Sequence, residues 1–362
     1  MKLFRWGILG AARIARKNWK SIRRSGNSVI AAVASRDASR AAQFIADCQK
    51  LEAFDSPPAI FDDYVKLIES PDVDGVYIPL PTGLRKELVI RAAEAGKHIL
   101  CEKPCAPNAA DLREMISACR KHNVQFMDGV MFMHNPRLNQ LRAALDDEAT
   151  LGRVRRINSH FTFFGAPEFF TTNIRLNSAL EPLGCLGDLG WYCIRFSLWA
   201  MKWQMPRQVA GLTLAQVNGV PTAFSGEMIF DDDVSANFYC SFHEQHQQWV
   251  SVSGEKAFLR VPDFVLPLHG SNVAFEINTI ASRMVGCDYI NEPAIKIVPN
   301  PEPAGNPDTA QEASMIRNFV TQSRSGKLND AWPDMALRTQ IVADACLASA
   351  RASGRLMDVE KI

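Results

Sequence analysis

The chain has no apolar run approaching the roughly 18 residues that a membrane-crossing helix needs, so no membrane partner is expected. Neither sign of charge dominates, since 40 lysines and arginines stand against 39 aspartates and glutamates for a net charge of +1. The basic residues are scattered among the acids, which leaves no electrostatic footprint for nucleic acid. Nine cysteines (Cys48, Cys101, Cys105, Cys119, Cys185, Cys193, Cys240, Cys287 and Cys346) form an odd set without paired metal spacing. Cys101 and Cys105 have no second cysteine pair or nearby histidines, so no metal is expected and the thiols read as reduced. An apolar run already starts at Leu3, leaving no room for a cleavable leader, and the cytoplasm is the expected compartment. No internal repeat is present. With 47% hydrophobic and 22% charged residues the composition is that of a globular protein, and a small molecule is the expected partner.

At 362 residues the chain is long enough for about two domains. Up to residue 128, strand-like runs alternate with helical periods: Phe4–Leu9, Ser28–Ala34, Gly75–Leu80, His98–Cys101 and Gln125–Met127 are separated by helices such as Ala38–Cys48, Tyr64–Ile68, Arg85–Ala95 and Ala109–His122. This pattern predicts an α/β Rossmann domain, a doubly wound parallel sheet, over residues 1–128. Residues 129–362 change character. A helix at Leu138–Leu145 precedes strand-like segments at Val154–Phe164, Gln208–Val217, Gly226–Phe230, Ser235–Phe242, Trp249–Gly254 and Ala257–Val261, many alternating apolar and polar residues. An α+β domain with a large, mostly antiparallel open sheet is expected over these residues. Helices are expected near Asp188–Met201 and over Thr309–Ser323 and Pro333–Ser353. The proline-rich Asn300–Asp308 is expected to link the sheet to the last two.

The most informative stretch is Ile99-Leu100-Cys101-Glu102-Lys103-Pro104, which carries a lysine at the end of a buried strand. Open parallel sheets bind ligands beyond the carboxyl ends of their strands, which makes Lys103 a candidate for proton transfer. Gly10-Ala11-Ala12-Arg13-Ile14-Ala15 follows the first strand and starts a helix, the context a dinucleotide fingerprint requires. Gly10, Ala12, Arg13 and Ile14 are therefore expected at the cofactor. Ala12 replaces the second glycine of the fingerprint and puts a methyl group where the backbone approaches the pyrophosphate, so the diphosphate is expected slightly farther out. An NAD site would end the second strand with an acid. Here Ser35-Arg36-Asp37 stands there, with Arg40 one turn on. Ser35, Arg36 and Arg40 suit a 2′-phosphate, which favours NADP over NAD, while Asp37 is the residue that would take a 2′-hydroxyl.

With Tyr77-Ile78-Pro79-Leu80-Pro81, Gly96-Lys97-His98 leading into the lysine motif, and Gly187-Asp188-Leu189-Gly190-Trp191-Tyr192-Cys193-Ile194, the sequence resembles the Gfo/Idh/MocA family of NAD(P)-dependent oxidoreductases over nearly its whole length. The last motif is similar to the branch that holds glucose-fructose oxidoreductase, NADP-dependent xylose dehydrogenase and dimeric dihydrodiol dehydrogenase, where a tyrosine replaces the histidine of inositol dehydrogenases. The resemblance implies that Lys103 is the active-site lysine, Tyr192 the proton donor or acceptor beside it, and Asp188 the group that orients substrate or the catalytic pair. It also implies Pro79, Leu80, Pro81 and Glu102 at the cofactor, Arg175 near the substrate, and a homodimer or homotetramer. Asp188 and Tyr192 are four residues apart, on one helix face. A tyrosine with an ordinary pKa of about 10 needs an adjacent cation to exchange a proton at neutral pH.

Two departures stand out. Arg85 ends Pro81-Thr82-Gly83-Leu84-Arg85 where relatives carry histidine, and Glu181-Pro182-Leu183-Gly184-Cys185 replaces a glycine run. His243-Glu244-Gln245-His246 reads as a solvated loop rather than a metal site. The expected activity is hydride transfer between NADP(H) and a ring carbon of a sugar, polyol or cyclic diol. The alternatives are a trans-dihydrodiol dehydrogenase or dicarbonyl reductase, and a non-catalytic NADP-sensing regulator on the same fold.

Overall fold

The computed structural model describes residues 2–270, 272–301 and 309–360, so residues 302–308 of the expected Asn300–Asp308 link lie outside the described residues. The chain forms two compact units, the first from Met1–His134, Ile174–Pro182 and Pro307–Gln340, the second from Asn135–Asn173, Leu183–Asn306 and Ile341–Ile362.

In the first unit β1 (Phe4–Leu9), β2 (Ser28–Ala34), β3 (Ala59–Phe61), β4 (Gly75–Ile78), β5 (His98–Cys101) and β6 (Phe126–Asp128) form a parallel sheet in the order β3-β2-β1-β4-β5-β6. The doubly wound parallel sheet is as expected from the sequence, and this strand order is that of dinucleotide-binding domains. Its inner strands are mostly apolar, and every residue of β4 is buried, because helices cover both faces. These helices are α1 (Arg13–Ser25), α2 (Ala38–Leu51), α3 (Tyr64–Glu69), α4 (Arg85–Glu94) and α5 (Ala109–Lys121). β3 was not expected. It is a three-residue edge strand with little burial, too short to carry a period.

In the second unit nine strands form one sheet: β7 (Val154–Phe164), β8 (Gln208–Val217), β9 (Val220–Ile229), β10 (Ser235–Ser241), β11 (His243–Gly254), β12 (Phe258–Val261), β13 (Val273–Val285), β14 (Asp288–Pro299) and β15 (Met357–Asp358). The order is β14-β13-β12-β11-β7-β10-β9-β8-β15, antiparallel everywhere except between β7 and β10. The His243–His246 stretch opens β11 instead of forming a loop, with an irregular register between His243 and Gln247. Helices α6 (Arg137–Asp146), α7 (Phe169–Thr172) and α8 (Trp191–Ala200) accompany the sheet. Nearly all of α8 is buried, Arg195 and Ser197 included, and it packs on β7 and β10. Arg137 and Asp263 form an ion pair at 2.7 Å with side chains 1% and 0% exposed.

The chain closes with α9 (Gln311–Arg324) and α10 (Ala331–Arg351). The expected single cut at residue 128 assigned both, and the segment 174–182, to the second domain. Instead α9 packs on α1, where Lys17 pairs with Glu312 at 2.5 Å, and Phe319 lies 5.2 Å from the Trp6 ring and 6.3 Å from that of Trp332. Burying that aromatic surface draws α9 and the start of α10 into the first unit.

Candidate active site

Four turns at the carboxyl edge of the parallel sheet, those after β1, β2, β4 and β5, carry the expected cofactor residues. After β1 the chain turns at Gly10 with φ +105°, a region that favours glycine. A Cβ there would meet Leu80 Cδ2 at 2.8 Å, so Gly10 and Leu80 are brought into contact. Helix α1 then begins behind Ala12, which contributes no side-chain cap, and no acid stands in the first turn. Uncapped N–H groups at a helix start bind anions, so this turn fits the diphosphate of a nicotinamide dinucleotide. Ala12 is half-buried, while Arg13 and Ile14 are exposed.

Ser35 is buried at the end of β2, and its hydroxyl accepts from the Asp37 N–H at 3.4 Å. Arg36 and Arg40 are exposed, and among the described residues neither enters an ion pair. Asp37 caps α2 through its Oδ1. Its carboxylate accepts from the Ser39 N–H at 2.9 Å and from the Ser39 hydroxyl at 2.6 Å, and those bonds hold its pKa below the ordinary value.

Behind β4 and β5 lies a network that the sequence did not reveal. Tyr77 donates its hydroxyl to Glu102 Oε1 at 2.7 Å, and Asn18 Nδ2 donates to the Tyr77 hydroxyl at 2.6 Å, all three side chains being buried. Burial, then the Glu102 charge, pushes the Tyr77 phenol well above its ordinary pKa, so it stays protonated and donating. Glu102 is thereby fixed beside Lys103, which is half-buried and joined to Pro104 by a cis peptide bond.

The departure at residue 85 proves structural. Arg85 is 4% exposed, and its guanidinium donates to the carbonyls of Leu80 at 2.6 Å, Glu102 at 2.5 Å and Pro104. The second departure meets the same loop. Glu181 accepts from the Thr82 hydroxyl at 2.6 Å and the Thr82 N–H at 3.1 Å, while Gly83 N–H donates to Leu180 O at 2.9 Å. A Cβ on Gly83 would lie 2.3 Å from Ala179 O, so only glycine admits this approach. These bonds carry Arg175, half-buried in the short turn Ile174–Leu176, into the first unit. Pro79 and Leu80 are buried and Pro81 half-buried.

Asp188 and Tyr192 belong to the second unit. The expected continuous helix is instead a π-helical turn, Leu186–Gly190, running into α8. Gly190 permits it, since a Cβ there would meet Leu186 Cδ1 at 3.0 Å and Cys240 Sγ at 3.2 Å. Such turns are frequent at functional sites. Tyr192 is 7% exposed, with its ring 5.6 Å from that of Phe161 on β7, and Asp188 is half-buried. His160 stacks on Trp249 at 5.4 Å, His243 on Phe170 at 4.6 Å, and Asn318 meets His134 at 3.1 Å. Among the described residues no cluster of three metal-ligating side chains occurs.

The strand order, the glycine turn and the uncapped helix define a nicotinamide-dinucleotide-binding oxidoreductase. Residues 4–130 match the model of an oxidoreductase family with an NAD-binding Rossmann fold, and residues 138–260 match the Gfo/Idh/MocA C-terminal domain. A bovine (Bos taurus) trans-1,2-dihydrobenzene-1,2-diol dehydrogenase is 32% identical over 72% of this chain and 74% of its own. The chain belongs to the Gfo/Idh/MocA family and is an NAD(P)-dependent oxidoreductase. The fold is shared with KijD10, a 3-ketoreductase from Actinomadura kijaniata solved with NADP and TDP-benzene (TM-score 0.79, 22% identity, 96% of this chain and 98% of that one). It is shared also with a levoglucosan dehydrogenase solved with NADH and L-sorbose (TM-score 0.82, 16% identity, 100% of both chains).

Proposed function

We propose that the protein transfers hydride between NADP(H) and a ring carbon bearing a hydroxyl or carbonyl in a sugar, polyol or cyclic diol. The observation that carries this reading is the half-buried Lys103 at the carboxyl end of β5, held between a fixed Glu102 and the Arg85-bound Pro104. The cofactor supplies the hydride chemistry, and the chain supplies orientation and proton transfer. Gly10, Ala12, Arg13 and Ile14 hold the diphosphate through the α1 start, and Pro79, Leu80, Pro81 and Glu102 line the nicotinamide side. Ser35, Arg36 and Arg40 take the 2′-phosphate. Asp37 caps α2 through one carboxylate oxygen, while the exposed Arg36 and Arg40 beside it suit a 2′-phosphate, which favours NADP.

Tyr192 exchanges the substrate hydroxyl proton, and the Lys103 cation favours its phenolate. Asp188 and Arg175 orient the substrate hydroxyls. A trans-dihydrodiol dehydrogenase is the second reading, favoured by the bovine relative. Retention of both Lys103 and Tyr192 speaks against a non-catalytic regulator. The cytoplasm and a homodimer or homotetramer complete the proposal: all nine cysteines are free thiols and only Cys287 is exposed, while the large sheet exposes Leu212 and Leu214.

The test is steady-state turnover on a panel of aldoses and cyclic diols with NADP and NAD. On the substrate found, Lys103→Met should cut turnover to a small residual rate with cofactor binding retained. Tyr192→Phe should lower kcat roughly 10²- to 10⁴-fold, the scale for losing a positioned acid–base group. Wild-type activity in Tyr192→Phe would show that this tyrosine only packs. Tight NADPH binding with no turnover on any panel member would restore the regulator.

A further inference from the structure

We propose that Arg85 is the positioning residue for Lys103, holding the peptide run Glu102-Lys103-Pro104 against the end of β4 so that the lysine amine is presented in one orientation. This rests on the reading of Lys103 as a proton-transfer group.

The guanidinium binds one carbonyl on each side of Lys103, those of Glu102 and Pro104, and a third on Leu80, the residue packed over Gly10. The strand end, the nicotinamide-side turn and the lysine segment are thus joined by one side chain. Only arginine offers donors on a rigid planar fork that can reach three acceptors at once. Histidine offers two ring nitrogens, and lysine a point charge on a flexible stem. Arg85 is buried, yet among the described residues it forms no salt bridge with a carboxylate. Burying a cation on carbonyl dipoles alone is expensive, which is hard to account for if a neutral side chain would fill the same space.

The Thr82 hydroxyl, which also lies 3.3 Å from the Pro104 carbonyl, and its partner Glu181 brace the same turn from the other side. The two departures from the family pattern therefore meet at one loop. Arg85 need not touch substrate to matter, because displacing a catalytic group by about 1 Å costs on the order of 100-fold in rate.

The test uses the full chain in four variants: Arg85→Gln, Arg85→Lys, Lys103→Met and the double variant Arg85→Gln/Lys103→Met. Arg85→Gln should lower kcat roughly 30- to 100-fold while KM and the NADPH dissociation constant stay within about threefold, the split expected when only transition-state geometry is lost. Arg85→Lys should fall between it and the wild type. Added to Lys103→Met, Arg85→Gln should slow the residual rate no further, because both changes act through one group.

A full multiplicative loss in the double variant, or wild-type kcat in Arg85→Gln beside a severely slowed Lys103→Met, would overturn the positioning role alone. Wild-type turnover in Lys103→Met would remove the proton-transfer reading itself. Should Arg85→Gln fail to fold, Arg85→Lys carries the same test. A loss confined to kcat, at an unchanged melting temperature, supports positioning, whereas unchanged kcat with a lowered melting temperature refutes it.

Discussion

Cofactor choice is the property most open to a quantitative test. Replacing Arg36 with alanine removes a guanidinium that is exposed and that, among the described residues, has no acid partner of its own. Hydrogen bonds to charged groups contribute about 1.5–3 kcal/mol when well sheltered, and an exposed, salt-screened pair sits at or below the lower end. A loss of about 1–1.5 kcal/mol corresponds to NADP binding weakened roughly 5- to 12-fold. NAD has no 2′-phosphate and should lose almost nothing. Arg40→Ala should behave alike, and the double variant should lose less than the product if both arginines hold the same phosphate. Fluorescence titration with NADP and NAD at two salt concentrations measures this directly, and the wild-type preference should shrink as salt rises. Tighter binding of NAD than NADP by the wild-type protein, or equal weakening of both in Arg36→Ala, would refute the assignment of a phosphate site at the end of β2.

Two further outcomes concern stability. Asp263→Asn strips the charge from a fully buried partner of Arg137 and should cost about 3–5 kcal/mol in urea unfolding, the usual effect of leaving one buried ion unpaired; a cost near zero would mean that the pair contributes only shape. Burial alone would raise the Asp74 carboxyl, but hydrogen bonds from Arg5 at 2.8 Å outweigh it and hold the pKa below its ordinary value. A depressed carboxylate contributes stability that is complete above its unfolded pKa of about 4 and is lost as pH falls through the folded one, so Asp74→Asn should flatten the acid limb of a melting-temperature profile between about pH 5 and 2 and leave the slope near neutrality unchanged.

What could be read in advance follows from how each feature is encoded. The Gly10 turn and the buried runs of β4 and β5 announce themselves because side-chain type and position in the fold coincide there. β13 and β14 stayed hidden because much of their hairpin is exposed on both faces, with Ile280 57% and Tyr289 76% exposed, so no alternation marks it. Arg85 was visible as an anomaly, but its partners are backbone carbonyls, which leave no trace in the residue letters. Asp37 stands beside the place where an NAD-binding acid would stand, and only Ser39 two residues on, in an Asx-type cap, shows that one of its carboxylate oxygens caps α2. The π-helical turn before α8 sits where Gly190 packs closely against Cys240 and Phe238 of β10, a long-range contact that spacing alone could not supply.

The loan of residues 174–182 to the first unit bears on any attempt to re-engineer this enzyme by exchanging cofactor modules. A chimaera spliced at residue 128 would import a new loop in place of Thr82-Gly83 while keeping Glu181 and Ala179, which are shaped to the old one. A transplanted loop with any side chain at the Gly83 position would collide with a retained carbonyl, and Glu181 would face whatever replaced Thr82. The unit of exchange is thus defined by three stretches of gene, the third carrying α9, and specificity grafts that ignore the second and third should yield misassembled protein before they yield altered selectivity.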